Sequence, residues 1–416
     1  MSASHAATAS TVPAGQPRLL NPGTCLMWGG VLAAATLAGA FLGDPGRVAM
    51  SWLIAVMFWL AISIGSLLLV VLHHMFDSGW STVIRRPLEH WLATFPVLAA
   101  LFAPLVIISL FIEPSILWKW LDISLVADDI LWRKKSGFLN PTTFVVANVV
   151  FFGLFIWISA WLRKHSFAQD EDGLAEHTIS NRKMSAFGIP AVGLSLTFGA
   201  FYWIMSLEHH WFSTMYGVWF FSAAMRAGLA FITILCIYLA TRGVLQGIFR
   251  PAHMLSLGDL MLAFTVFWAY ITFSQYFLIW NANIPEETFW YNLRELNLST
   301  GERNSWWWIG LALLFGHFFL PFFYFLGHDN KLKNGRMIFI CVCILATHLL
   351  DLYFNILPAM KAPSGDAIPF SITLWDITAI AGVGALCLWA FFRSFARTRC
   401  IPIRDPRIVE SLQFHE

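Results

Sequence analysis

Three polar residues, His348, Asp351 and Asn355, recur at i, i+3 and i+7 inside one apolar run. On a helix that spacing places all three on one stripe. An acid beside a histidine there can relay a proton, because each group changes protonation cheaply when charge moves nearby. Thr373 and Asp376 repeat the pattern in another apolar run, and a lone Arg226, one turn after Ser222, sits in a third. An ionisable side chain at bilayer depth costs roughly 3 kcal/mol unless it faces a bundle interior or a counter-charge. These groups are therefore expected either to neutralise one another or to handle protons, with Asp351 and Asp376 as the expected counter-charges of Arg226.

Other titratable groups lie nearer the ends of the runs. Asp259 is close to the start of one, and His73 and His74 end another. His317 follows Gly316 and precedes Pro321 by four residues, where a freed backbone carbonyl could bind its ring or a water. Glu208, His209 and His210 form a cluster between two runs. Its plain reading is a capped helix hairpin, with Glu208 just before the new helix and Ser213 and Thr214 in the first turn. Its sharper reading is a surface group that takes up and releases protons. No catalytic residue and no metal ligand is assigned: the six cysteines lack CxxC or CxxCH spacing, so iron–sulfur, zinc and covalent haem have little support.

The elements that position these residues follow from composition. Of 416 residues, 58% are hydrophobic and 12% charged, against about 25% charged in an ordinary soluble domain. The apolar residues come in runs long enough for a helix to cross about 30 Å of hydrocarbon, which makes this an all-α integral membrane protein. About ten spans are expected, at 24–42, 48–72, 91–112, 142–162, 186–207, 211–240, 257–279, 305–326, 337–357 and 368–392. An even number puts both termini on one side. The tails and the loops on that side hold about 17 Lys and Arg, the opposite loops about 8, so both termini are expected to be cytoplasmic.

Residues 1–22 read as a mobile tail, 23–393 as the transmembrane domain and 394–416 as a cytoplasmic tail. Residues 113–141 carry Trp118, Trp120 and Trp132 beside Asp128, Asp129, Arg133, Lys134 and Lys135, a mixture that suits an interfacial aromatic belt or a surface for a membrane or partner. The segment 164–183 reads as a solvated connector. There is no Walker loop or dinucleotide fingerprint, which disfavours an ATP-driven pump or a self-contained redox enzyme. The net charge of +2 gives no argument for nucleic acid, and no such partner is expected.

Three separated stretches then suggest a family. Residues 208–217, the segment 73–81 running into 84–89 (His73, His74, Asp77, Gly79, Trp80, then Arg85, Arg86, Pro87 and Glu89), and 283–290 (Asn283, Pro285, Glu286, Trp290) resemble the NrfD-like superfamily of polysulfide reductase membrane subunits. Within it the chain is most similar to the ActF-type subunits of bacterial alternative complex III. The resemblance covers most of the chain from the second span to the ninth. It implies two four-helix bundles, about 48–207 and 211–358, with peripheral helices, in a bacterial inner membrane. It implies a subunit without its own cofactor, not a catalyst alone, in a quinol:cytochrome c oxidoreductase complex. Its partners would be a sister NrfD-like subunit, which usually carries quinol oxidation, iron–sulfur and multihaem cytochrome c subunits, and a terminal oxidase. By the same resemblance the intramembrane polar residues are candidates for proton translocation, and quinone or quinol is the small molecule in question. The chain lacks the polar N-terminal segment associated with the sister subunit. Competing readings are a stand-alone proton-coupled secondary transporter, which would favour inverted repeats and paired broken helices, and a purely structural membrane anchor.

Overall fold

Short polar signals start the apolar helices. Asn21, Asp44 and Asn140 each precede a proline, and each side chain accepts a hydrogen bond from a backbone N–H of the first turn, so cap and first helical residue agree. In the computed structural model, which describes residues 19–415, ten helices are long and apolar enough to cross a membrane. They are α1 (Pro22–Leu42), α2 (Pro45–Phe76), α3 (Thr82–Phe111), α4 (Pro141–Asp172), α5 (Ala175–Glu208), α6 (Tyr216–Thr241), α7 (Pro251–Ala282), α8 (Ser305–Leu326), α9 (Asn334–Ala359) and α10 (Leu374–Phe395). The chain is an all-α, multi-pass membrane protein. Most of the expected mobile tail, residues 1–18, lies outside the described residues; Pro22 already begins α1.

The helices close two rings of four. In the first, α2 packs on α3, α3 on α4, α4 on α5 and α5 on α2; in the second, α6, α7, α8 and α9 do the same. The rings share the α2–α6 seam, where a Cβ on Gly65 would lie 2.0 Å from the Ala224 carbonyl oxygen and one on Gly228 would lie 2.9 Å from the Gly65 carbonyl carbon. Only glycine permits this backbone approach, the small-residue packing of membrane helices. α1 and α10 pair with each other at the periphery, and α10 also covers α2 and α3. Residues Asp405 and Ser411 return to α3, so the C-terminal segment packs at the end of the rings where α2 finishes, here the tail end. The opposite end, at Glu208 to Trp211, is the hairpin end.

Several expectations are corrected. The charged stretch before residue 91 is helical and belongs to α3, with Arg85, Arg86, Glu89 and His90 all buried. The segment 164–183 is not a loop: α4 runs to Asp172 and α5 starts at Ala175, with the turn made by Gly173 at φ 75°. Trp118 and Trp120 are not an interfacial belt but lie fully inside the first ring, Trp118 against Phe144 and Trp120 donating from Nε1 to Ser206 Oγ at 3.0 Å. Ser213 and Thr214 precede α6, which starts at Tyr216 without a side-chain cap.

Candidate functional site

The second ring is hollow at its hairpin end. α7 packs on α8 only from Leu314 onwards and diverges from its first half, and the helix Pro285–Glu295 covers the gap from above. The result is a cavity of about 620 Å³. Its walls are largely aromatic, including Trp211, Trp219, Trp268, Trp290 and Trp307. Phe273, Tyr276 and Leu314 line it and are also exposed, so it opens sideways between α7 and α8. Arg294 seals the upper end: it is buried, stacks on Trp290 at 3.4 Å, and donates to the carbonyls of Trp290, Phe354 and Asn355 at 2.8–3.0 Å. Burial pulls its guanidinium down to about 9, against the pull of Glu208, so it remains protonated at neutral pH.

At the inner end the cavity meets Asp351. The stripe expected from spacing is present, with His348, Asp351 and Asn355 all buried on α9. Asp351 Oδ2 accepts from Trp219 Nε1 at 3.2 Å and Trp268 Nε1 at 3.1 Å, while Asn355 Nδ2 donates to Oδ1 at 3.0 Å. Tyr216 in turn donates to Asn355 Oδ1 at 3.0 Å. Two indoles and an amide thus hold a carboxylate oriented without any cation against it.

Arg226 stands behind this group, fully buried on α6. Its Nη2 donates to the His317 carbonyl at 2.7 Å, while Nε and Nη1 have no hydrogen-bond partner. The reason is local to α8: Pro321 cannot offer the N–H that an α-helix would aim at the His317 carbonyl, and the chain passes through a π-turn at Leu314–Phe319. The carbonyl freed by proline therefore binds arginine, not the His317 ring. That ring instead contacts Thr347 Oγ1 at 2.5 Å through Nδ1 and packs edge-on to Trp268 at 4.4 Å, leaving Nε2 unpaired. His348 stacks on Phe58 with neither nitrogen hydrogen-bonded. Arg226 lies within electrostatic range of Asp351, His317 and His348, and the two histidines within range of each other. Among the described residues Arg226 has no acid within 4.0 Å.

The remaining candidates separate from this group. Asp376 is not a counter-charge of Arg226: it pairs with Arg47 at 2.7 Å and closes a capping box with Thr373 at the start of α10. Asp259 forms an ion pair with Lys331 near the tail end, its side chain 55% exposed. Glu208 ends α5 and pairs with Lys361 at 3.3 Å. His209 and His210 both meet Asp129 Oδ2, at 3.0 and 2.6 Å. Burial would push the Asp129 carboxyl up, but hydrogen bonds from His210 and His209 outweigh it and hold the group well below the usual carboxylate range.

His73 belongs to a second buried cluster that sequence reasoning did not assemble. Its Nδ1 contacts Ser81 Oγ at 2.7 Å and its Nε2 contacts Arg85 at 3.1 Å. Arg85 pairs with Glu89 at 3.0 Å and Asp405 at 2.5 Å, and Arg86 with Glu89 at 3.4 Å and Asp170 at 2.6 Å. The charged motif at 84–89 was visible; its partners 84 and 320 residues away were not. Arg294 was likewise missed, since it falls in a stretch taken for a loop.

No protein-family model matches this chain, and no curated protein matches it.

Proposed function

We propose that this chain is a membrane subunit of a quinol-oxidising electron-transfer complex of the alternative complex III type, in which the second ring receives a quinol headgroup and passes its protons onward. The observation that carries this reading is the lipid-facing aromatic cavity ending on the buried Asp351 carboxylate. A quinol is a flat ring with hydroxyls at opposite ends. Tryptophan faces suit the ring, an opening between helices suits entry from the bilayer, and a carboxylate without a paired cation suits acceptance of a hydroxyl proton. Oxidation releases two electrons and two protons. The electrons leave to iron–sulfur clusters and c-type haems on partner subunits. Asp351 takes a proton first, and His348, one turn away on the same helix, and His317, both gathered around Arg226, are the groups for onward transfer. The tail end faces the cytoplasm of a bacterial inner membrane, as the Lys and Arg balance favours.

The test is purification from native membranes with Asp351→Asn as the probe. We expect copurification with iron–sulfur and multihaem cytochrome subunits, and a loss of quinol-dependent cytochrome c reduction of at least tenfold in the variant with subunit composition unchanged. Isolation of a self-sufficient monomer catalysing proton-coupled uptake in liposomes would overturn the reading in favour of a transporter. Full activity of the assembled Asp351→Asn complex would reduce the chain to an anchor.

A further inference from the structure

We propose that Asp129, His209 and His210 form a binding site for one divalent first-row transition-metal ion at the hairpin end. The three donor atoms lie within 4.8 Å of one another although they come from segments 80 residues apart. Each side of the site is fixed independently. Asp129 caps the short helix Ile130–Lys135, with Oδ1 accepting from the backbone N–H groups of Leu131 and Trp132 at 2.9 and 3.2 Å, which leaves Oδ2 directed at the imidazoles. Lys135, in the same helix, donates to the carbonyls of His209 and His210 at 2.7 and 3.3 Å and lies over the Phe212 ring, so its charge is turned to the hairpin backbone.

Both imidazoles present Nε2 to the same carboxylate oxygen. Hydrogen bonding alone makes two ring donors share one acceptor, whereas an ion between the three atoms would use one lone pair from each. Bonds of about 2.1 Å in a tetrahedral site set the ligands roughly 3.4 Å apart, so the present 2.6 and 3.0 Å contacts would open by under an ångström, with all three donor atoms already within 4.8 Å. Two histidines and one carboxylate are a donor set that zinc and its neighbours prefer, with a coordination position left over. The same three residues border a hollow of about 470 Å³ together with Lys119, Leu125 and Leu131, and the half-exposed His210 gives access from water. An ion held here would cross-link the segment 113–141, which plugs the first ring, to the hairpin that joins the two rings.

The experiment titrates the full chain in lipid nanodiscs with Zn2+ by calorimetry, counts bound metal by elemental analysis, and repeats the titration with Co2+ to read its visible d–d absorption. We expect one ion per chain at micromolar or lower concentration, weakening of at least tenfold in His210→Ala and in Asp129→Asn, and no site in the His209→Ala/His210→Ala double variant. Asp129→Asn keeps an acceptor for the helix cap, and His210 is half-exposed, so both variants should fold; their thermal unfolding without metal is measured as the control. Equal zinc stoichiometry in the wild-type chain and the double variant, or no binding by the wild type at 100-fold molar excess, would overturn the site.

Discussion

Both rings bury ionisable groups, and they treat them in opposite ways. At the tail end of the first ring, Arg85, Arg86, Glu89, Asp170 and Asp405 interlock, every cation within 3.4 Å of an acid. Ser166 also donates to Glu89 at 2.7 Å. Several of these nitrogens fall short of hydrogen-bond geometry, but each guanidinium is compensated by two acids. In the second ring Arg226 holds one carbonyl, Asp351 is held by neutral donors, and both His348 nitrogens are unpaired. A compensated network fixes helices in place and resists changes of protonation. An uncompensated one at the edge of a cavity can change protonation without an ion pair being broken first.

Substitutions can break that comparison. The largest effect is expected for Arg86→Ala, which leaves the buried Asp170 without its cation and Glu89 with Arg85 alone, and should cost about 3–5 kcal/mol in thermal or denaturant unfolding in detergent. Arg226→Gln should cost much less stability, about 1 kcal/mol, because it releases one carbonyl and strands no acid paired with it; equal losses at the two arginines would erase the distinction. Gly65→Ala tests the seam that both rings share and should destabilise by about 1–3 kcal/mol through forced separation of α2 and α6. Trp120→Phe, which removes the 3.0 Å bond to Ser206 and part of a buried ring, should cost about 1–3 kcal/mol in the same assay.

The smallest effect concerns the outer layer of the first ring's network. Burial pushes the Asp77 carboxyl up, yet hydrogen bonds from Arg182 and Arg407 outweigh it and leave the group below its usual range. A depressed acid contributes stability above its unfolded value, and that contribution fades as pH falls through the folded value. Protease resistance of the C-terminal segment should therefore be flat from neutral pH down to about 4, the ordinary carboxylate range, and decline below it. In Asp77→Asn at pH 7 it should already be reduced, by less than about 1 kcal/mol for a partly exposed pair.

Much of this division was legible in the sequence. Ten apolar runs gave ten helices, and the spacing of His348, Asp351 and Asn355 gave the buried stripe, because both depend on local periodicity. What could not be read was pairing at a distance. Asp376 finds Arg47 across 329 residues, and no count of charges distinguishes that partner from Arg226. Charge also misled: Arg85, Arg86 and Glu89 look like a loop until their partners fold over them. The cavity was invisible for a different reason, since it arises from where α7 and α8 fail to touch, and His209 with His210 had no third ligand in view until Asp129 arrived from 80 residues upstream.

The bond between Arg85 and Asp405 also sets a timetable. The two residues are separated by 320 positions, so a ribosome must insert all the intervening spans before the second acid exists. Until then, among the described residues, Arg85 has only His73 and Glu89 beside it. Closure of this end therefore follows synthesis of the spans from α4 to α10, and a rigid insertion beside Asp405 would interfere with it.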